Sequence, residues 1–206
     1  MLNVPPGQTQ PPPKNIDPRL IPPIVVGGTA LAKLTLDKLS EAQKAELQKA
    51  GHTLPSLPPD PNRLPEGNSK VPSKNDTNPV NLQAIKRENE SAKILAEHGY
   101  KIEQLPDSIT GKIQRVKKPD YKIEGETFDH YAPTTNNARS IANTLEGKIT
   151  DKKTGVKQAD RFVVNLDGSQ VTLEQMRKQL EDHPIADLKE VIIIKDKQVT
   201  PFFPFE

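Results

Sequence analysis

The apolar residues of this chain fall into blocks whose period changes along its length. Between residues 81 and 99 (NLQAIKRENESAKILAEHG), Ile85, Ala92, Leu95 and Ala96 return at the spacing of one helical face, with Asn81 as a candidate N-cap and Gly99 as the stop. Tyr100 to Gln104 predicts a short strand. Residues 120–124 and 127–132 alternate with period 2 around Gly125-Glu126, a Gly-X hairpin turn. Ala138, Ile141, Ala142 and Leu145 define a further helix, capped by Thr134 or Thr135 and reaching about Lys148. Asp160 to Leu166 reads as a buried strand ending in a turn at Asp167-Gly168, and Thr172 to Asp182 as a helix. Leu188 to Lys195 is a continuous apolar strand of the kind covered on both faces, and Gln198 to Phe203 pairs back onto it. The order helix, strand, strand, strand, helix, strand, helix, strand, strand predicts one α/β domain over 81–206, with a central mixed sheet flanked by helices.

The first 80 residues carry a different pattern. Pro5-Pro6, Pro11-Pro12-Pro13, Pro18 and Pro22-Pro23 block helix and central strand and favour an extended tether. A short amphipathic helix is expected at about 35–50, before Gly51, and residues 53–80 return to Pro, Ser, Asn, Asp and Lys without periodicity, the composition of a second flexible linker. The expected organisation is thus a Pro-rich, largely disordered region over 1–80 followed by the domain over 81–206. Composition agrees: 21 prolines among 206 residues, 33% hydrophobic residues and a mean hydropathy of −0.68 leave part of the chain without a core to fold around. A net charge of +2 does not by itself demand a polyanionic partner. The chain has no cysteine, so a bound metal would rest on carboxylates and histidine. Neither a Sec-type signal nor an apolar run of membrane-spanning length is read in it.

The chemistry concentrates at the hairpin. With a Gly125-Glu126 loop, residue 124 faces 127, 122 faces 129 and 120 faces 131, so Asp120, Lys122, Glu124, Thr127, Asp129 and Tyr131 share one sheet face. Asp120 and Asp129 then sit diagonally, with Cβ atoms roughly 5 to 8 Å apart. Spacing alone leaves two readings, a metal site or a solvated polar face. Glu88 lies on the apolar side of its helix between Ile85 and Ala92, where a carboxylate needs a partner, whereas Glu90 points away. His130 is expected on the face opposite Asp129, packed with Phe128, and His98 at the end of its helix. Lys112, Arg115, Lys117 and Lys118 make a basic loop before the hairpin, where a phosphate backbone could lie.

Three blocks give the chain a family. Glu88-Asn89-Glu90-Ser91-Ala92 with His98-Gly99-Tyr100, Pro119-Asp120-Tyr121 through Phe128-Asp129-His130-Tyr131-Ala132-Pro133, and Gln158-Ala159-Asp160-Arg161 through Asn165-Leu166 together resemble the C-terminal tRNase toxin domains of contact-dependent growth inhibition proteins (CdiA) and related polymorphic toxins. The resemblance covers roughly residues 82 to 204. It implies a PD-(D/E)XK-like nuclease core whose acids map onto Glu88 (or Glu90), Asp120 and Asp129. Those three would hold Mg²⁺, or Mn²⁺ or Zn²⁺, which polarises the scissile phosphate and activates water. The superfamily's usual lysine position, two residues after the last acid, is Tyr131 here. In the toxin group the lysine comes from the following helix, which makes Lys148 the match and Lys122 its rival. Arg139, Arg161 and the 112–118 cluster are candidates for RNA phosphate contacts.

The implied function is a metal-dependent endoribonuclease toxin that cleaves tRNA in target bacteria and is neutralised by a cognate immunity protein. Such a toxin is secreted or delivered from the cell surface and acts in the target cytoplasm, with a delivery scaffold N-terminal to this chain if the chain is a fragment. Aromatics at 4% of residues favour recognition of a folded RNA by shape and phosphates over base stacking. The alternatives are a DNase toxin on the same fold and a non-enzymatic α/β binding module whose hairpin acids decorate the surface.

Overall fold

Among the described residues, seven strands lie side by side in the order in which the chain makes them. The computed structural model describes residues 36, 39–106, 119–149 and 159–205. The elements are α1 (Glu41–Lys49), β1 (Glu66–Gly67), α2 (Pro79–Glu97), β2 (Ile102–Gln104), β3 (Tyr121–Ile123), β4 (Glu126–Tyr131), α3 (Ala138–Ile149), β5 (Arg161–Asn165), α4 (Leu173–Asp182), β6 (Glu190–Lys195) and β7 (Gln198–Phe203). The sheet order is β1-β2-β3-β4-β5-β6-β7. β2, β3 and β4 run antiparallel, β4, β5 and β6 run parallel, β7 returns antiparallel, and β1 pairs in parallel with β2 at the edge. The mixed sheet with helices on both faces is therefore the architecture that the periodicity predicts.

Each face has its own core. The alternation of the strands sends Tyr121, Ile123, Phe128, Val163, Ile192 and Ile194 toward α2, whose Ala92, Leu95 and Ala96 meet them. Phe162, Val164, Val191 and Ile193 point the other way, toward Ile141 and Leu145 of α3 and Met176 and Leu180 of α4. The two crossover helices between the parallel strands β4, β5 and β6 thus share one face, as same-handed crossovers must. Ser40 closes a capping box at α1 and Thr172 another at α4. Asn78, rather than Asn81, caps α2, because Pro79 fits the first helical position, where its missing N–H costs nothing. At α3 the Asn137 side chain accepts from the Ser140 amide, two or three residues after the threonines expected to cap it.

The stretch 53–80, expected as flexible linker, is built onto the domain along much of its length. Leu39, Leu47 and Leu54 are buried in the α2-side core. The Leu57 amide donates to the Gly99 carbonyl at 3.1 Å and the Asp60 amide to Glu97 at 2.9 Å. Thr53 gives its amide and hydroxyl to Glu190 at 2.6 and 2.8 Å. Pro-rich sequence without periodicity lies against a surface as readily as it spans space, and here a few apolar side chains and backbone amides decide the outcome. Gly67 is required where β1 meets β2, since a Cβ there would stand 2.3 Å from the Gln104 carbonyl oxygen.

Arg161, expected as an RNA contact, is committed to the fold. Its guanidinium reaches Glu190, which has no exposed side-chain surface, at 3.0 Å and Glu126 at 3.2 Å. Burial raises the Glu190 carboxyl, and Thr53 and Arg161 work against that rise. Removing the arginine would leave a buried charge short of its counter-ion.

A chain beginning at residue 81 is expected to unfold at a distinctly lower urea midpoint than the full chain. The loss should amount to several kcal/mol, since each buried leucine contributes about 1.5–3 kcal/mol. Coincident midpoints would show that residues 39–70 are a passive tether.

Candidate active site

The hairpin closes one residue earlier than the Gly-X reading places it. Tyr121 pairs with Phe128, Lys122 with Thr127 and Ile123 with Glu126, so Glu124-Gly125 form the turn, both with positive φ (49° and 94°). Glu124 tolerates that conformation because its carboxylate accepts the Lys101 amide at 2.8 Å and the Ser56 amide at 3.0 Å. The shift leaves every side chain on its expected face but changes its partner. Lys122 lies opposite Thr127 and is exposed at the turn end, away from Asp129. Asp120 instead moves level with Asp129, its amide donating to the Phe128 carbonyl at 3.0 Å.

Asp129 is buried and Asp120 largely so, and each carboxyl shifts the titration of the other. Burial, together with the neighbouring Asp120, pushes Asp129 up to about 7, against the opposing pull of Lys148. Burial also resists ionisation of Asp120. The hydrogen bond from Asp129, the Lys70 ammonium and the His130 amide outweigh it and hold Asp120 below the ordinary aspartate value. The two carboxyls are thus pushed apart, Asp129 upward and Asp120 downward.

Two lysines flank this pair from opposite sides. Lys148, in the last turn of α3, places Nζ 2.6 Å from Asp129 Oδ2. Lys70 places Nζ 2.5 Å from Asp120 Oδ1 and 2.8 Å from Glu88 Oε1. Three carboxyls thus face two ammonium groups.

Glu88 reaches it because α2 is locked onto the sheet. The Tyr121 hydroxyl, next to Asp120 in the chain, donates to the Glu88 carbonyl at 2.6 Å. One turn on, the buried Ser91 hydroxyl donates to the Arg87 carbonyl at 2.8 Å, accepts from Asn165 at 2.8 Å and meets His130 Nε2 at 3.0 Å. Since the serine proton goes to Arg87, His130 donates through Nε2. Burial lowers His130 to about 3, so it stays neutral. It lies edge-on to Tyr121, in the packing role expected of it.

The remaining expected residues lie elsewhere. Glu90 is turned toward Arg87 and Lys86 at 3.3 and 3.8 Å and takes no part in the cluster. Arg139 is exposed at the start of α3. Lys112, Arg115, Lys117 and Lys118 lie outside the described residues. Lys70 and the amides that hold it carried no signal in the sequence, because a lysine in an aperiodic Pro, Ser and Asn stretch is indistinguishable from a solvated one. Glu88 was legible as a carboxylate on an apolar helical face.

The donor set suits a hard divalent cation: carboxylate oxygens only, with Glu88 and Asp120 already converging on one positive charge. Mg²⁺ commonly takes one or two protein carboxylates and keeps water for the rest. Asp129, the third expected ligand, faces Lys148 instead, and among the described residues no three His, Cys, Asp or Glu side chains are grouped as a metal cage.

A mixed α/β sheet with an acid pair between two lysines at the joint of its antiparallel and parallel halves is the class defined by fold and site. Residues 117–199 match the model of the contact-dependent growth inhibition CdiA C-terminal domain. A solved CdiA-CT/CdiI toxin and immunity complex from Burkholderia pseudomallei is similar at 33% identity and a TM-score of 0.56, covering 68% of this chain and 98% of that one. The chain belongs to the CdiA C-terminal domain family. It is also 38% identical over 115 residues, or 56% of its length, to the tRNA nuclease CdiA-2 of Burkholderia pseudomallei strain 1026b, of which the match spans 3%.

The Asp129 proton predicts a pH signature. The folded chain holds it up to about 7 and the unfolded chain releases it near about 3.9. The contribution to stability is therefore full below the unfolded value and lost as pH rises through the folded one. Asp120 behaves oppositely, but only toward acid. Asp129→Asn should gain stability relative to the parent between pH 5 and pH 8 in urea unfolding, and a pH-independent difference would show that Asp129 is ionised throughout.

Proposed function

We propose that this chain is the toxin portion of a contact-dependent growth inhibition system, a nuclease that cleaves tRNA in a target bacterium on a PD-(D/E)XK-like core. The observation that carries the reading is the convergence of Glu88, Asp120, Asp129 and Lys148, which come from α2, from the residue before β3, from β4 and from α3. A relative named as a tRNA nuclease supports the substrate. A relative solved as a toxin and immunity complex supports a cognate immunity protein as the partner in the producing cell. No helix among the described residues is long and apolar enough to cross a membrane, and entry into a target cell falls to the delivering protein.

The chemistry follows from the protonation states. Asp120 and Glu88 are the residues that would hold Mg²⁺ or Mn²⁺, an ion that would supply charge to the phosphate and acidity to a bound water. Protonated Asp129 stands beside Asp120 as a proton donor or relay. Lys148, partly exposed, is the residue placed to stabilise negative charge gathering on the phosphate during displacement. Arg139, exposed one helix length from Lys148, offers a phosphate contact along the same helix.

The test is incubation of the full chain with total bacterial RNA and with plasmid DNA, each with Mg²⁺ and with chelator. Discrete tRNA fragments that disappear with chelator are expected. Intact RNA beside nicked plasmid would move the substrate to DNA, and cleavage of neither would leave a binding module. Asp120→Ala and Asp129→Ala are each expected to abolish cleavage and toxicity on expression with the circular dichroism spectrum retained. Folded mutants that still kill would remove these residues from the mechanism.

A further inference from the structure

The acids of the site are gripped from a direction that the family match does not cover. Lys70 lies outside residues 117–199, in the segment that follows β1, yet its ammonium is the group on which Glu88 and Asp120 converge. It is no surface lysine that happens to fall nearby. The Asn89 side chain takes both backbone groups of Lys70, accepting from its amide at 2.9 Å and donating to its carbonyl at 2.9 Å. Gln104 in turn donates to the same Asn89 oxygen at 2.8 Å. Upstream, Glu66–Gly67 pairs with β2, where Gly67 allows the close approach to Gln104. Adjacent residues of α2 therefore hold the two ends of one lysine, Asn89 its backbone and Glu88 its ammonium. The side chain keeps only 13% of its surface exposed.

We propose that Lys70 is a positioning residue of the active site, whose ammonium keeps the Glu88 and Asp120 carboxylates paired across the junction of α2 and β3. The inference rests on the nuclease reading above. Without that charge, two carboxylates that now touch one ammonium would repel each other inside a largely buried pocket. Glu88 sits on a long side chain and would turn away from Asp120. The backbone framework holding Lys70 would remain in place, so the damage would fall on the geometry of the acids and not on the binding of RNA elsewhere on the domain. Lys148, on the far side of Asp129, cannot replace it.

The experiment compares Lys70→Met, Lys70→Gln and Lys70→Arg with the parent chain, reading kcat and KM for tRNA cleavage alongside circular dichroism. Lys93→Met, which removes an exposed helix pair with Glu97, is the surface control. Lys70→Met and Lys70→Gln are expected to lose on the order of 100-fold in kcat, the cost of displacing reacting groups by about 1 Å. KM should stay within about threefold, and Lys70→Arg should recover most of the loss. Should Lys70→Met fail to fold, the glutamine variant and the arginine rescue carry the test. Unchanged or faster cleavage in folded neutral variants would overturn the proposal, since Lys70 would then only hold the seat of another cation. A loss confined to KM would overturn it in favour of a phosphate contact. A parent chain that cuts no RNA would remove the nuclease reading and this inference with it, whereas an active parent with active neutral variants removes this inference alone.

Discussion

Asp120 and Asp129 cannot both be ionised at their present separation unless something pays the repulsion, and the structure around them supplies that in three ways. Asp129 is pushed toward its protonated form, a lysine stands at each outer side, and the His130 amide donates to Asp120 Oδ2 at 2.8 Å. Buried ionic groups rarely add stability over apolar ones of the same shape, and removing one partner costs about 3–5 kcal/mol. The cluster is therefore a burden that the two cores must carry. It is placed where both can, at the hairpin between α2 on one face and α3 on the other.

That placement explains which parts of the molecule were legible. Elements whose apolar residues repeat with a clear period, such as α2, α3 and the run 190–195, are set by burial of one stripe or two faces, and their sequence states it. The hairpin was legible in its faces but not in its register. Gly125 serves a turn in first or second position, and the choice fell to the anchoring of the Glu124 carboxylate by Lys101 and Ser56, residues remote in sequence. Because a cross-strand pair shares a face in either register, the acids were assigned the right side with the wrong neighbour. Lys122 was drawn toward Asp129 by that error.

The site shows the same division. Asp120, Asp129 and Lys148 lie within one stretch of chain with recognisable blocks, and Glu88 betrayed itself as a carboxylate among apolar helix positions. Lys70 had neither advantage. Its position depends on Asn89 recognising a backbone amide and carbonyl, a contact made with atoms that every residue possesses and that no composition or period encodes. Arg161 failed in the opposite sense: its charge suggested a ligand, and the buried Glu190 claimed it.

Arg161 and Lys148 show how a cation beside a buried acid can be held in two ways within one domain. Arg161 meets a carboxylate that no solvent reaches, at the end of β5 against β6, and its partner Glu190 also receives Thr53 from the N-terminal segment. Lys148 meets a carboxylate that is equally buried, but keeps a quarter of its own side chain exposed. A guanidinium divided between Glu190 and Glu126 has less left to offer a phosphate. An ammonium on a flexible stem, touching one acid and open to solvent on the other side, can exchange that acid for a substrate oxygen at small structural cost. Arg161 divides its charge between two carboxylates, whereas Lys148 meets one.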